Sequence, residues 1–388
     1  MKSIAFTLTL WCLLLTSHLS AQYLIYPDTI PVHTIRVPLP YLKGGTVQNY
    51  ITDLQYFPLE SKETADIISR VADIAINSDR VVLHFHVFSK KTVNTSVCIY
   101  DTAGRLKHKL STKDDFQSSS LNEIKPWRRG FLARSIHDAI ELDTAGHWNK
   151  TLNPINDMED SLCIDNSTWY YRGFRERDSG LHKIGLYLDT VPHIQYSSQT
   201  KPTLIADLNR PLSPYFEQAN AAYSTFPFST EIFGLSDNGI RQIYKFILPL
   251  NYTLDTAEYR LVKNEEEKRM FVSKYPNAVN GLDNVVRYKN YMLFQLKYLT
   301  GKTQWIALDM DTEQMIDLDG LLPDRSSDYM PIIGWQKFLR TDGEYLYSIL
   351  YPNEIIDRWG EKENRLITER VKLLSKSKNP VLVRFKLK

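Results

Sequence analysis

The sequence predicts an all-β chain, a single β-propeller of four-stranded antiparallel blades. Three observations carry this. Asp101-Thr102-Ala103-Gly104 recurs 42 residues later as Asp143-Thr144-Ala145-Gly146, each copy between two strand-like runs. Asp hydrogen-bonds its own backbone at turns and Gly supplies positive φ, so strand-Asp-x-x-Gly-strand reads as a hairpin. The interval is that of a four-stranded blade. Aromatic residues make up 12% of the chain (23 Tyr, 16 Phe, 7 Trp), a composition suited to pleated, half-buried surfaces.

The chain begins Met1-Lys2, follows with an apolar run from Ile4 to Leu15, and reaches Leu19-Ser20-Ala21. A charged start, a short apolar region and a small residue at a cleavage point predict a signal peptide over 1–21. The apolar run is too short to span a bilayer, so no transmembrane segment is expected in the mature chain. The expected location is the periplasm, the cell surface or the extracellular space. Of the mature cysteines, Cys98 and Cys163 sit in apolar strand-like runs and read as buried thiols, with one disulfide left open.

Residues 22–48 carry Pro27, Pro31, Pro38 and Pro40 and read as an extended N-terminal segment ahead of a propeller over 49–388. Ile51, Leu54 and Tyr56 mark a strand from Tyr50 to Leu59 that stands alone, as expected of a strand that completes the last blade and fastens the ring. The first blade follows as Val71–Ile76, Arg80–Phe85, Ser96–Tyr100 and Arg105–Leu110. The second holds Ile124, Gly130–Ala133, Ala139–Leu142 and His147–Leu152. The third starts at Ser161 and runs through Thr168–Phe174 and Leu181–Leu188 into a Pro-rich stretch. The fourth covers Thr230–Phe246. The fifth has Asn284–Tyr288, Tyr291–Tyr298 and Trp305–Asp309, and the sixth Ile332–Leu339 and Tyr345–Leu350. Pro380–Leu387 is the last strand. Asn264–Met270 reads as a charged helix or loop, and Glu361–Ser375 as an amphipathic helix. Six blades are expected. Seven stay open because 190–230 parses poorly.

The stretches Ile51–Glu60, Ile74–Ile76, Val81–Leu83 and Ile99–Leu106, with the ending Asn379–Lys388, resemble the secreted six-bladed β-propeller proteins of Bacteroidetes, which share the architecture of NHL-repeat propellers. The resemblance covers nearly all of the mature chain and implies six blades and export. It implies no catalytic residue, because the family has no settled activity. One feature departs from it. Where relatives carry a Gly-Pro-Gly-Glu-Tyr-like segment, Ser111–Glu123 has no glycine.

Charge is nearly balanced, 47 Lys and Arg against 45 Asp and Glu, so no basic face for nucleic acid is expected. Two clusters could grip a carboxylate or a sugar ring by bidentate arginine and stacking: Lys125-Pro126-Trp127-Arg128-Arg129 and Trp169-Tyr170-Tyr171-Arg172. The competing reading is aromatic packing between blades. His84 and His86 alternate on one strand face, which could begin a metal site, but no third ligand follows at a recognisable spacing, so a solvated or hydrogen-bonded pair is the plainer reading. There is no Gly-x-Ser-x-Gly nucleophile motif. No cofactor is identified, although a divalent cation such as calcium stays open. Asp-Ser/Thr-apolar triplets recur, as in Asp101-Thr102-Ala103 and Asp160-Ser161-Leu162, and resemble an O-glycosylation signal. Turn preference explains them equally well. The expected function is an exported binding or scaffolding module for a glycan, a small ligand or a protein partner. The alternative is an enzyme at the channel mouth, a glycan-active hydrolase or lyase or a metal-dependent lactonase.

Overall fold

The computed structural model describes residues 23–25, 29–60, 68, 70–88, 93–111, 121, 123–127, 130–134, 139–152, 160–164, 167–175, 182–188, 191–198, 212–214, 221–226, 228–259, 262, 264–357 and 368–388. It is an all-β propeller of small sheets with a few short helices. The chain opens with four strands, β1 (Tyr23–Ile25), β2 (Val32–Arg36), β3 (Lys43–Thr46) and β4 (Ile51–Pro58). It then runs through β5 (Arg70–Ile76), β6 (Arg80–Phe88), β7 (Val93–Asp101) and β8 (Leu106–Ser111), which pair in that order as one antiparallel sheet. The next sheet is β9 (Glu123–Trp127), β10 (Gly130–Arg134), β11 (Ala139–Leu142) and β12 (Trp148–Leu152).

Strands β13 (Asp160–Ile164), β14 (Ser167–Arg175), β15 (His182–Leu188) and β16 (Val191–Ser198) follow in the same up-and-down order. So do β17 (Leu212–Pro214), β18 (Ala221–Thr225), β19 (Glu231–Ser236) and β20 (Gly239–Ile247). A further group is β21 (Val279–Tyr288), β22 (Tyr291–Tyr298), β23 (Thr303–Asp309) and β24 (Met315–Leu322). The last group, β25 (Arg340–Thr341), β26 (Leu346–Leu350) and β27 (Val381–Leu387), has three strands of its own and takes β4 as its fourth.

The first strands of successive sheets lie innermost. β5 packs on β9, β13 on β17, β17 on β21, β21 on β25, and β25 back on β5. Apolar side chains fill the space between neighbouring sheets. Val82, Val97, Ile99, Ile124 and Phe131 form one such layer, and Leu83, Phe85, Tyr347, Ile349 and Leu382 another.

The repeated Asp-x-x-Gly phrase is the same device in both copies. Asp101 Oδ1 accepts the N–H groups of Ala103 and Arg105 at 3.0 Å each, and Gly104 takes φ 79°. Asp143 Oδ1 accepts from Ala145 and His147 at 2.9 and 2.8 Å, with Gly146 at φ 89°. These hairpins join the third and fourth strands of adjacent sheets, so turn chemistry accounts for two of the Asp-Thr triplets.

The ends of the chain meet as expected. β27 pairs antiparallel with β4, Leu382 facing Phe57 and Val383 facing Tyr56. Asn379, 1% exposed, ties the junction by accepting from Ile68 N at 2.9 Å, while Leu59 N donates to Pro380 O.

Several expectations are corrected. Five sheets have described side-chain cores and stand as five blades rather than six. The sheet β13–β16 is described mainly through strand pairing, with Leu186 and Leu188 its buried described side chains. Nor are all sheets four-stranded and antiparallel. The N-terminal segment is more than an extended lead-in, since β1 adds antiparallel to β16, and β2 and β3 add parallel to β20 and β24. Pro31, Pro38 and Pro40 sit between these strands, where no ladder N–H is needed. Ile332–Leu339 is irregular, not a strand; Lys337 within it takes φ 57°, which breaks extended backbone, and Gly334 lets the chain sit close to Ile349 O. The helix expected over Glu361–Ser375 spans Glu369–Ser375, burying Val371 and Leu374. The charged run forms the helix Glu265–Lys274, capped by Asn264. Cys98 is a buried thiol, and the side chain of Cys163 lies outside the described residues.

Ring closure predicts an asymmetry between the two termini. Deleting 381–388 should abolish cooperative unfolding. Deleting 22–46, which leaves β4 on β27, should give a folded protein with a Tm several degrees lower. Circular dichroism melts check this, and a cooperative melt after the C-terminal deletion would refute the closure.

Candidate functional site

Charged residues stand in the apolar innermost strands, and they converge where the blades meet. Asp73 lies within Val71-Ala72-Asp73-Ile74-Ala75-Ile76 and is 3% exposed. A bulge between Val71 and Asp73 turns its carboxylate back on the main chain. Its Oδ1 accepts Ile74 N at 2.7 Å, and its Oδ2 accepts Ile124 N of β9 in the next blade at 3.0 Å. Arg340 of β25 approaches from the other side. Its Nε donates to Ile74 O at 3.2 Å, and Nη2 lies 3.8 Å from Asp73 Oδ1. Burial pulls the Arg340 guanidinium down to about 10, opposed by the nearby carboxylates of Asp283 and Glu123, so it stays charged at neutral pH. Asp283 repeats the Asp73 arrangement on β21, accepting from Asn284 N at 2.8 Å beside a bulge, with Asn284 at φ 49°.

Toward the start of these strands the polar system continues. Buried Lys125 and half-buried Arg134 flank Glu123 at 3.7 and 3.9 Å. Lys337, held at φ 57°, ion-pairs with Asp319, and its carbonyl accepts from Gln295 Nε2 at 3.1 Å and Trp305 Nε1 at 2.7 Å. Gln336 Nε2 donates to Val71 O at 2.9 Å. A lysine in the left-handed region persists only where its surroundings over-determine it, as these bonds do. Chemically the cluster is a set of fixed charges. Both oxygens of Asp73 are occupied by main-chain donors, so the group orients backbone instead of moving protons. Among the described residues no three His, Cys, Asp or Glu side chains gather in a metal-binding group.

The sequence clusters fall elsewhere. Trp127 ends β9 at the hairpin side, opposite Glu123, is 8% exposed, and donates its indole N–H to Glu141 at 2.9 Å. Arg128 and Arg129 lie outside the described residues. Trp169, Tyr170, Tyr171 and Arg172 lie within β14, paired with β13 and β15, and their side chains are likewise outside the described set. His84 and His86 do share a face, with rings 5.5 Å apart, but His84 is neither solvated nor hydrogen-bonded. It is 1% exposed, and among the described residues neither ring nitrogen has a hydrogen-bond partner. Sequence reasoning missed Asp73, Asp283 and Arg340. Their signal is a single charge inside an apolar strand, costly unless paired.

No family model matches the chain, and no curated protein matches it. Solved structures do resemble it. A Bacteroides fragilis protein described as exported superposes with TM-score 0.59 at 10% identity, covering 93% of this chain and 100% of its own. The β-propeller domain of the Trilobed protease from Pyrococcus furiosus gives 0.34 at 8% identity, over 74% and 90% of the two chains. BamB from Moraxella catarrhalis gives 0.31 at 13%, over 68% and 66%. The first likeness shows a shared fold over nearly the whole of both chains. No helix among the described residues is long and apolar enough to cross a membrane.

Two outcomes follow for stability. Arg340→Met strands the surrounding carboxylates and should cost about 3–5 kcal/mol in urea unfolding, with the Asp73→Asn/Arg340→Met pair recovering part of it. A neutral single variant would show the cluster to be dispensable. Burial, then the charge of His86, lowers His84 from 6.5 to about 4. The unfolded chain therefore binds more protons between those values, and stability present above pH 6.5 is lost as pH falls toward 4. His84→Phe should reduce the stability lost between pH 7 and 4.5 by about 2–3 kcal/mol. An equal loss in both proteins rules His84 out as the cause.

Proposed function

We propose that the protein is an exported binding or scaffolding module, a ring of six blades that presents a ligand or partner surface at the mouth of its channel. A count of six is supported by the sheet of β13–β16 with β1, whose own four strands pair in the same up-and-down order as the blades described above. Export is supported by the charged start, apolar run and small residues at the N-terminus.

One observation carries the reading. The carboxylates of the inner strands that hydrolysis or cation binding would call on already have partners, Asp73 two main-chain N–H groups, Asp283 the Asn284 N–H, and Glu123 the cations of Lys125 and Arg134. Groups fixed in this way build a rigid rim and leave recognition to the side chains above it. The ligand is a glycan, a small molecule or a protein partner. Trp127, Arg128, Arg129 and the Trp169–Arg172 cluster stay candidates for contact with it.

Thermal unfolding against calcium and a panel of glycans, lactones and small acids tests the proposal. A ligand at a hundred times its Kd should add about 2.7 kcal/mol, a shift of several degrees without turnover. Turnover of any panel member, or a calcium shift abolished by Asp73→Asn, would replace binding with the enzyme reading.

A further inference from the structure

We infer that Trp335, Tyr351 and Arg70 form a binding platform at the channel mouth for an acidic sugar ring, a pyranose bearing a carboxylate. The inference rests on the binding reading above and names the ligand class.

Trp335 is 57% exposed, an unusual place for the largest apolar side chain, yet its backbone is held firmly. Its N–H donates to Glu354 Oε1, and the other oxygen of the same carboxylate accepts Tyr351 N at 2.6 Å. One side chain therefore clamps the two aromatic residues together, and their rings stand 5.8 Å apart at 45°. Gly334 permits the approach, because a Cβ there would also press on the Glu354 carboxylate at 2.9 Å. The Tyr351 hydroxyl donates to Gln336 Oε1 at 2.8 Å and accepts Val71 N at 2.6 Å, which fixes the pair to the first turn of the inner strand β5.

Arg70 is the neighbour of Val71. It is exposed, and among the described residues it has no hydrogen-bond or ion-pair partner. The indole N–H of Trp335 has none either. The other described cations of the rim, Lys125, Arg134, Lys337 and Arg340, are paired with carboxylates. An exposed indole on an anchored backbone, and a guanidinium beside the Tyr351 it packs on, thus stand on one side of the mouth, the indole N–H and the guanidinium both without a partner among the described residues.

These groups fit a ring with an apolar C–H face, hydroxyl acceptors and one carboxylate. The indole, on an anchored backbone and in contact with the Tyr351 ring, can cover the face, and with only two side-chain torsions a tryptophan loses little freedom in doing so. Arg70 takes the carboxylate through two parallel N–H donors. A neutral sugar would use the indole alone, and a simple carboxylic acid Arg70 alone. Both halves together select the acidic sugar.

Calorimetric titration of the mature protein with a glucuronate-containing tetrasaccharide and with its neutral glucose counterpart tests this, with Trp335→Ala and Arg70→Gln alongside. Both positions are exposed, and unchanged Tm values confirm that the variants fold. The expected result is binding of the acidic sugar at least tenfold tighter than the neutral one, about tenfold weakening of both by Trp335→Ala, and loss of the acidic preference in Arg70→Gln. Equal binding of the two sugars, or an unaffected Trp335→Ala, overturns the inference. Binding of neither sugar overturns it too. If another panel ligand or a purified protein partner then binds, the binding reading survives without the acidic sugar. If nothing binds, both fall.

Discussion

The pairing of β27 with β4 is the constraint on which the rest depends. A row of blades bound only to their sequence neighbours would leave two sheets with an uncovered apolar face. Joining the chain ends within one sheet removes both faces together. It lets Tyr56, Val383 and Phe385 pack with Leu293 and Trp305 on one side, and Leu382 with Leu83 and Phe85 on the other. The main-chain register from Leu387↔Ile51 to Val381↔Pro58 sets how the last blade meets the first. That register in turn sets where β25 lies against β5, and so where Arg340 meets Asp73.

The channel cluster turns a liability into a fastening. Buried charges destabilise unless each finds partners, and a ring brings several strands to one axis where partners can come from different blades. Asp73 receives an N–H from its own strand and one from β9, while Arg340 reaches the β5 carbonyl from β25. Three consecutive blades are therefore held in register by polar contacts that tolerate little displacement, and apolar layers between them supply the bulk of the burial. Above this fixed base the Glu354 clamp displays Trp335 with the same economy of motion.

Much of the fold was legible because hairpins are local. Asp101 and Asp143 act within five residues of themselves, so a short phrase suffices to place two strands and the repeat length. Alternating apolar residues placed β5 to β7 closely for the same reason. What escaped the sequence was non-local. Nothing in Val32–Arg36 announces that it will lie parallel to a strand more than 200 residues later. Ile332–Leu339 is apolar enough to read as a strand, but the crowding of Gly334 against Ile349 belongs to the tertiary structure. The site was harder still. Asp73, Asp283 and Arg340 gain meaning only when three strands converge, and Trp335 is marked out by an exposure that hydropathy cannot report. The aromatic-arginine clusters were conspicuous because their residues are consecutive, which says little about where side chains gather in space.

The path of the N-terminal segment has a kinetic side. β1, β2 and β3 add in turn to β16, β20 and β24, so this early-synthesised stretch has no partner until residues 191–322 exist. β4 must wait longer still, for the final seven-residue strand. Contacts of such sequence separation carry a large loop-closure cost before any reward. Folding of this ring is therefore expected to begin in the middle blades and to end at both termini together. Until that last step the outer edges of three sheets stand open to other chains. The N-terminal segment is thus a late-arriving cover as much as a brace, and the interval before it settles is when the molecule is most exposed to aggregation.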